Sequence, residues 1–498
     1  MLHSPRLARI RMKTLPNLFP LILSILQLLW VGRPAADESL KIELPEMGDP
    51  TGTSFTPLQE RQLGAEFYRS LHQQLEINQD PEIADYIQRL GQQLTANSDK
   101  PDQPFHFFVV NSPAINAFAG PGGYIGVNSG LIIASESESE VASVLAHEIA
   151  HITQRHLFQA FQEASRMSLG TAAAMLAAVL IGSQSAQAGQ AAMMAAQAAS
   201  LQRQINFTRD NEAEADRVGM QILSKSTFDP RSMPTFFERL QQSTRFSGTG
   251  IPEFLLTHPV TTSRISDTRA RAEKFPYRQY PDSMLYQLTR AKLRVGTTRT
   301  AQDAVSYFRL IERQGTAEQQ DVARYGLALA LVANMQFPEG QEILRSLIGK
   351  YPEQPYFVNA LALAQTEAKD YQAAEKTLQA GLRRFPENRA MTLRYVRTLL
   401  TNRKPEEARK LMQRYAASNT PNSDIYELLA EIHSQLGQPA ESHRFVAEAY
   451  YTSGHTREAI QQLLFARKTA GSDHYLAAVI DERLKELREE QRDQRENR

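Results

Sequence analysis

The stretch VLAHEIAH, residues 144–151, decides how the first half of this chain folds. Residues four apart in a helix share a face, so the imidazoles of His147 and His151 can reach one metal ion. Glu148 then lies beside the open position of that ion. The apolar residues of the stretch are typical of a buried helix, in which two histidines without a ligand would be costly. The stretch therefore predicts a helical metal site in the core.

Zinc is the expected ion, because His and carboxylate ligands with water in the fourth place are typical of catalytic zinc. Zinc lowers the pKa of its bound water toward about 7, and we expect Glu148 to take a proton from that water during attack on a peptide carbonyl. The alternative is accidental spacing. With 11 histidines in 498 residues, a chance match has odds on the order of one in a hundred, which favours the metal site.

A third ligand has to come from elsewhere in the chain. The longer zinc motif HExxHxxGxxH is not present, because Gln154 and Leu157 stand where its Gly and last His would be. His156 is out of that register, and we expect it to be exposed to solvent.

The stretch NEAEADR, residues 211–217, offers the better candidate. In a helix, Glu212, Asp216 and Gly219 share one face, and Gly219 would let this helix approach the metal helix closely. We predict that Glu212 binds the metal while Asp216 orients a ligand histidine. Glu214 projects elsewhere and is expected on the surface. The plainer alternative is an ordinary charged helix face.

His258 is the remaining histidine of interest, since it follows an apolar run and precedes a proline. It is expected either to stabilise the oxyanion of the tetrahedral intermediate or to occupy the fourth metal position until substrate displaces it. A satisfied loop histidine is the third alternative.

Composition excludes several classes of protein. Lys and Arg number 55 and Asp and Glu also number 55, so the chain lacks the basic excess of a nucleic-acid binder. Hydrophobic residues at 42% and charged residues at 22% are ordinary for a globular protein. Without cysteine there is no disulfide framework, thiolate metal site or lipoprotein anchor, and any metal must be held by His and carboxylates.

The N-terminus resembles a secretory signal peptide over residues 1–36. Basic residues within 6–13 precede an apolar run over 18–31, and small residues follow it. The run is shorter than the roughly 20 residues of a membrane span, so cleavage is favoured over a retained anchor. Residues 37–55 are then expected to form an extended leader.

Amphipathic patterns predict helices over 58–75 and 82–94, and an apolar, aromatic run predicts a buried strand over 105–110. A glycine-rich turn leads to a second strand, 124–127, which is either a buried strand or an edge to which substrate adds as an extra strand. The metal helix is expected to continue unbroken through about Phe161. These patterns predict an α+β fold that is mostly α.

The C-terminal part has a 34-residue period. Two sets of mostly small residues keep it, namely Gly340, Ala374, Ala408 and Ser442, and Ala328, Ala362, Val396 and Ala430. This period is that of tetratricopeptide repeats, whose paired helices pack closely at such positions. We predict a helical repeat solenoid over 316–487, bridging helices within 282–315 and a charged tail, 488–498, that is frayed or forms a solvent-facing helix.

Three motifs together resemble metallopeptidase family 48, of gluzincin type, which includes the CAAX-prenyl endopeptidases. They are His147-Glu148-x-x-His151, Glu212-x-x-Ala215-Asp216 and Thr257-His258-Pro259 with Arg264. The signal peptide and the repeats make the chain similar to the periplasmic members of that family. The resemblance implies a helical zincin-type metallopeptidase domain over 56–275 with a small β-sheet.

The resemblance also implies roles. One zinc ion per chain would be held by His147, His151 and Glu212, with Glu148 as general base and His258 beside the metal. The implied function is a periplasmic protease of a Gram-negative bacterium with chaperone-like activity. It would help outer-membrane proteins to assemble and degrade stalled ones, and its repeats would contact the barrel-assembly machinery or its substrates.

Two further alternatives concern the whole chain. The first alternative to an active protease is a repeat scaffold or chaperone with a closed or structural zinc site. The second is a processing enzyme with one dedicated substrate. The Ala- and Met-rich segment 165–200 is expected to be a pair of packing helices, with a mobile lid or a hairpin in peripheral contact with a bilayer as the alternative.

Overall fold

The computed structural model describes residues 57–157, 209–246, 252–277, 280–419 and 421–496. The predicted signal peptide, the leader and the segment 165–200 lie outside these residues. Within them the chain is mostly helical with one small sheet, which confirms the α+β prediction. No helix in these ranges has the length and apolar character needed to cross a membrane.

The sheet and the metal motif lie in the first part of the chain, between residues 57 and 272. Its described elements are α1 (Pro57–His72), α2 (Pro81–Thr95), β1 (His106–Val110), β2 (Ala117–Ala119), β3 (Tyr124–Asn128), α3 (Ser129–Ala134), α4 (Glu138–Thr153), α5 (Arg209–Lys225), α6 (Ser232–Phe246), α7 (Glu253–Thr257) and α8 (Thr262–Ala272).

The sheet has the order β1-β3-β2. β1 runs parallel to β3, with His106 opposite Tyr124, and β2 runs antiparallel to β3, with Ala117 opposite Val127. β3 is therefore paired on both sides, and the idea that the 124–127 strand presents an edge to substrate is wrong. The outer strand beside the metal helix is β2, a three-residue strand that was not predicted.

α4 is buried along its whole length at the centre of the core. The side chain of Ser137 accepts a hydrogen bond from the backbone N–H of Glu140, and acidic residues in the first turn favour the same helix end. The helix ends at Thr153 because Arg155 takes a left-handed conformation, with φ of 58°. The prediction of an unbroken helix through about Phe161 is therefore wrong.

α5 packs along α4, as the shared face of Glu212, Asp216 and Gly219 predicted. A Cβ atom placed on Gly219 would lie 3.2 Å from the backbone of Ala146 and His147. That is closer than most real Cβ contacts, so the absence of a side chain at Gly219 sets the distance between the two helices.

Helical hairpins make up the rest of the described chain. They are α9 (Met284–Thr297), α10 (Ala301–Ile311), α11 (Ala317–Ala333), α12 (Phe337–Lys350), α13 (Pro355–Glu367), α14 (Tyr371–Arg384), α15 (Arg389–Thr401), α16 (Pro405–Ala416), α17 (Ser423–Gln435), α18 (Pro439–Thr452), α19 (Thr456–Thr469) and α20 (His474–Glu496). Helices α12, α14, α16 and α18 begin 34 residues apart, which confirms the predicted period. The bridging helices α9 and α10 share a hydrophobic core with the first repeats.

The repeats contact the first part of the chain near α2 and at α1. Near α2, Asn359 of α13 donates to Glu82 over 2.9 Å, and Lys292 of the bridging helix α9 forms ion pairs with Asp80 and the same Glu82. At the other end, Arg69 of α1 pairs with Glu490 of α20. Glu490 lies in the predicted tail, so α20 continues past Leu487 as a helix that contacts α1.

Candidate metal centre

His147 and His151 lie on one face of α4 and are both buried. Their Nε2 atoms are 3.0 Å apart. The phenyl rings of Phe237 and Phe254 pack edge-on against His147 from two other helices. The apolar positions of the motif thus bury the two imidazoles and direct both Nε2 atoms to one point.

Glu212 reaches the same point from α5. Its Oε2 lies 3.5 Å from Nε2 of His147, and its Oε1 lies 3.5 Å from Nε2 of His151. Burial opposes the charge of this carboxylate, but His258 and His147 hold its pKa well below the usual range. The structure therefore brings together the three predicted ligands.

His258 completes the group from the end of α7. The helix ends there, with the His258 backbone N–H donating to the carbonyl of Phe254, and the imidazole stacks on the Phe254 ring. Its Nδ1 lies 3.0 Å from Oε1 of Glu212 and 3.4 Å from Nε2 of His147. His258 is thus buried among the candidate ligands. This position argues against the alternative that it is an ordinary loop histidine whose hydrogen bonds are made away from the site.

These four side chains fit a tetrahedral metal. One ligand atom from each lies within 4.8 Å of all the others, and zinc–ligand distances of about 2.1 Å imply ligand separations of roughly 3.4 Å. The site holds three buried carboxylates (Glu148, Glu212 and Asp216) and one guanidinium, Arg264, which pairs with the last two, so two formal negative charges remain when the histidines are neutral. A divalent cation would neutralise them.

Asp216 lies behind His147, as predicted. Its Oδ1 is 3.0 Å from Nδ1 of His147, the position from which a carboxylate fixes the tautomer of a ligand histidine. Burial alone would lower the pKa of His147, but Asp216 and Glu212 outweigh it and raise that pKa to about 9. The pocket therefore favours positive charge at this point.

Arg264 of α8 connects these carboxylates. It donates two hydrogen bonds of 2.8 Å to Asp216, pairs with Glu212 at 2.7 Å and donates to the carbonyl of Pro259 at 3.0 Å. Sequence reasoning identified Arg264 only as part of a motif, and its contacts show that it holds both acids and the loop of His258 together.

Glu148 is buried beside the ligand cluster without being one of the four ligands. Burial raises its pKa, whereas His258, His147 and the nearby backbone of Ala119 in β2 act in the opposite direction. The Nε2 of His258 lies 3.5 Å from its Oε1. A carboxylate with a raised pKa beside a metal site is suited to accept and return a proton.

His156 is buried, so the expectation that it is exposed to solvent is wrong. Its Nδ1 lies 3.0 Å from Nδ1 of His151, and its Nε2 lies 3.5 Å from Oε2 of Glu214. Glu214 is 41% exposed and pairs with Arg217, as a surface acid does. The spacing of the motif could not predict that His156 is buried, because the position of His156 depends on the break of the helix at Arg155.

The family comparison agrees with this geometry. The family described as "Peptidase family M48" matches residues 81–272, and two tetratricopeptide-repeat families match residues 325–389 and 365–432. The chain is a metallopeptidase with C-terminal repeats.

Comparison with single proteins narrows this class. The "Putative beta-barrel assembly-enhancing protease" of Vibrio cholerae is 35% identical over 455 residues, covering 91% of this chain and 94% of its own. The "Beta-barrel assembly-enhancing protease" of Escherichia coli is 33% identical over 450 residues, covering 90% and 91%. The mitochondrial metalloendopeptidase OMA1 of Schizosaccharomyces pombe is 31% identical over 182 residues, 36% of this chain and 50% of its own. The chain therefore belongs to the β-barrel assembly-enhancing proteases of peptidase family M48.

Proposed function

We propose that this protein is a zinc endopeptidase of the Gram-negative periplasm that promotes assembly of outer-membrane β-barrel proteins and degrades those that fail to assemble. The observation that carries the proposal is the buried set of His147, His151 and Glu212 with Glu148 beside it. The names of the relatives support the substrate class, and the predicted signal peptide supports the location.

The roles of the residues follow from their contacts. Zinc held by His147, His151 and Glu212 would supply an activated water and polarise the scissile carbonyl. Glu148 accepts the proton of the nucleophile at its carboxylate and returns it to the leaving amine. Asp216 keeps the hydrogen of His147 on Nδ1, so that Nε2 faces the metal.

The outer edge of β2 suits an extended substrate. β2 lies beside α4, and the backbone of Ala119 is near enough to Glu148 to lower its pKa, so a strand added along β2 would run past the candidate metal site. Stalled β-barrel proteins expose unpaired strand edges that can add in this way. Substrate selection by unpaired backbone is consistent with a protease that acts on unassembled barrels.

His258 is proposed to occupy the fourth ligand position in the resting enzyme. Its Nδ1 is within 3.4 Å of two candidate ligand atoms, which favours ligation over oxyanion stabilisation in this conformation. Substrate would then have to displace His258. This contact also supports the rival function, a repeat chaperone whose zinc site stays closed.

Glu148→Gln separates the two functions. One zinc per chain, with casein degradation reduced about 10²- to 10⁴-fold, supports the protease, and Glu136→Gln is a control at a carboxylate that is 73% exposed. Outer-membrane protein assembly should then be measured in cells carrying Glu148→Gln. Normal assembly and undiminished proteolysis in that strain would contradict the enzymatic function.

The repeats are proposed to dock substrates or the barrel-assembly machinery. A groove of about 730 Å³ between α14, α15 and α16 is lined by Arg383, Arg414, Tyr395 and Tyr415 among others, which suits a protein segment with acidic and apolar residues. Crosslinking from this groove in the full chain, with a crosslinker at exposed Arg383, would identify what docks there.

A further inference from the structure

The two candidate histidine ligands are held from behind in different ways. Nδ1 of His147 faces the carboxylate of Asp216, which Arg264 holds with two hydrogen bonds. Nδ1 of His151 faces a ring nitrogen of His156 at 3.0 Å. One ligand is thus backed by a carboxylate and the other by an imidazole.

The break at the end of α4 puts His156 in this position. In a continuous helix, residues five apart point about 140° away from each other, so His156 would face away from His151. The left-handed Arg155, with φ of 58°, turns the chain back, and the two rings pack edge-on with centroids 5.0 Å apart. His156 is left 1% exposed.

The hydrogens on these rings follow from the contacts. If Nε2 of His151 binds the metal, Nδ1 carries the hydrogen and has to donate it. Nδ1 of His156 is then the acceptor, which places the hydrogen of His156 on Nε2. That atom lies 3.5 Å from Oε2 of Glu214, and Arg217 donates to the other oxygen of Glu214 over 2.9 Å.

We propose that His156 is a positioning residue, which fixes the tautomer and ring orientation of His151 by accepting its Nδ1 hydrogen. This rests on the proposed metal site. His156 does not touch substrate, and its effect reaches the reaction only through His151. A neutral imidazole is a weaker acceptor than a carboxylate, so His151 is the less firmly held of the two ligand histidines.

Two substitutions separate this role from packing. His156→Asn keeps an acceptor oxygen near the position of Nδ1, whereas His156→Leu fills the site without an acceptor. Zinc affinity of the full chain would be measured by competition with a chromophoric chelator, with folding checked by circular dichroism. We expect His156→Leu to bind zinc about 10- to 100-fold more weakly and His156→Asn to recover most of that loss.

The outcomes are distinguishable from failure of the proposed function. If the wild type binds no zinc, the metal site itself is wrong. If the wild type binds zinc and His156→Leu binds it equally well, or if Asn and Leu lose affinity equally, the positioning role is overturned. Should His156→Leu not fold, ¹⁵N histidine spectra of the zinc-loaded wild type decide, because a hydrogen on Nδ1 of His156 contradicts the proposal.

Discussion

Arg264 donates two hydrogen bonds of 2.8 Å to Asp216, from Nε to Oδ2 and from Nη2 to Oδ1. The same guanidinium pairs with Glu212 and stacks on the ring of Phe237 at 5.1 Å. Because all these groups are buried, two carboxylates depend on one cation for their charge balance. The hydrogen bonds between Arg264 and Asp216 also join α8 to α5, across 48 positions of the sequence.

Replacing Arg264 by Met is therefore expected to lower both the unfolding free energy and the affinity for zinc. Removing one partner of a buried ion pair costs about 3–5 kcal/mol, and an unfixed Asp216 should weaken zinc binding about 10- to 100-fold. Urea unfolding and chelator competition measure the two effects. Arg269→Met is the control, since Arg269 lies on the same helix and is 58% exposed, where pairs contribute less than about 1 kcal/mol. Equal losses in both variants would contradict the prediction.

Gly454 marks a close approach between the repeats and α1. It has φ of 79°, and a Cβ there would overlap the carbonyl oxygen of Arg69. Gly437 has φ of 69° in a comparable turn, and a Cβ there would meet no other atom within 4 Å. Both glycines therefore have left-handed backbone, but of the two only Gly454 has no space for a Cβ atom.

Substitution of each glycine by alanine isolates that contact. Gly437→Ala should cost about 1–2 kcal/mol for left-handed backbone, and Gly454→Ala a further ~1–3 kcal/mol for overpacking. Urea unfolding of the two variants gives the difference directly. If the two alanines cost the same, the turn at Gly454 does not bind tightly to α1.

His72 should make this end of the molecule sensitive to acid. Burial, with a contribution from His455, lowers the pKa of His72 to about 4 from an ordinary 6.5. As the pH falls below about 6.5, His72 becomes protonated in the unfolded chain, whereas in the folded chain it stays neutral until about pH 4. The neutral, buried His72 therefore contributes fully to the unfolding free energy above about pH 6.5, and this contribution is lost as the pH falls toward about 4.

The variant His72→Gln removes this effect. Between about pH 7.5 and 5 the wild type should lose up to about 2 kcal/mol more unfolding free energy than the variant. His474→Gln, at an exposed histidine in the first turn of α20, should follow the wild type. Parallel curves for wild type and His72→Gln would show that His72 titrates normally.

Sequence reasoning succeeded where the pattern is local and periodic. The spacing of His147 and His151 predicted a buried helix, and the face shared by Glu212 and Gly219 predicted how α5 approaches it. Small residues every 34 positions predicted the solenoid. In each case a fixed spacing along the chain, of the helical turn or of the 34-residue repeat, carries the information.

What the sequence did not reveal depends on single residues or on distant pairs. The position of His156 depends on left-handed backbone at Arg155, and no glycine or asparagine marks that position. β2 has only three residues, too few for a recognisable alternation. The contact of Arg264 with Asp216 joins residues 48 positions apart, so it follows from packing and not from spacing.

Lys292 provides a test of how firmly the repeats are held. Its ammonium lies between Asp80, which precedes α2, and Glu82 of α2, with the lysine side chain 15% exposed, and Asn359 of the repeats donates to the same Glu82. Lys292→Met leaves both carboxylates without their cation, and Glu82 is buried, so we expect a loss of about 3–5 kcal/mol. Because this cluster joins α2 to the repeats, the single unfolding transition expected for the wild type should separate into two in the variant. Calorimetry measures both effects, with Lys485→Met, at a lysine 63% exposed on α20, as the control. A variant that still unfolds in one transition at the wild-type temperature would mean that this cluster is not what couples the repeats to the peptidase.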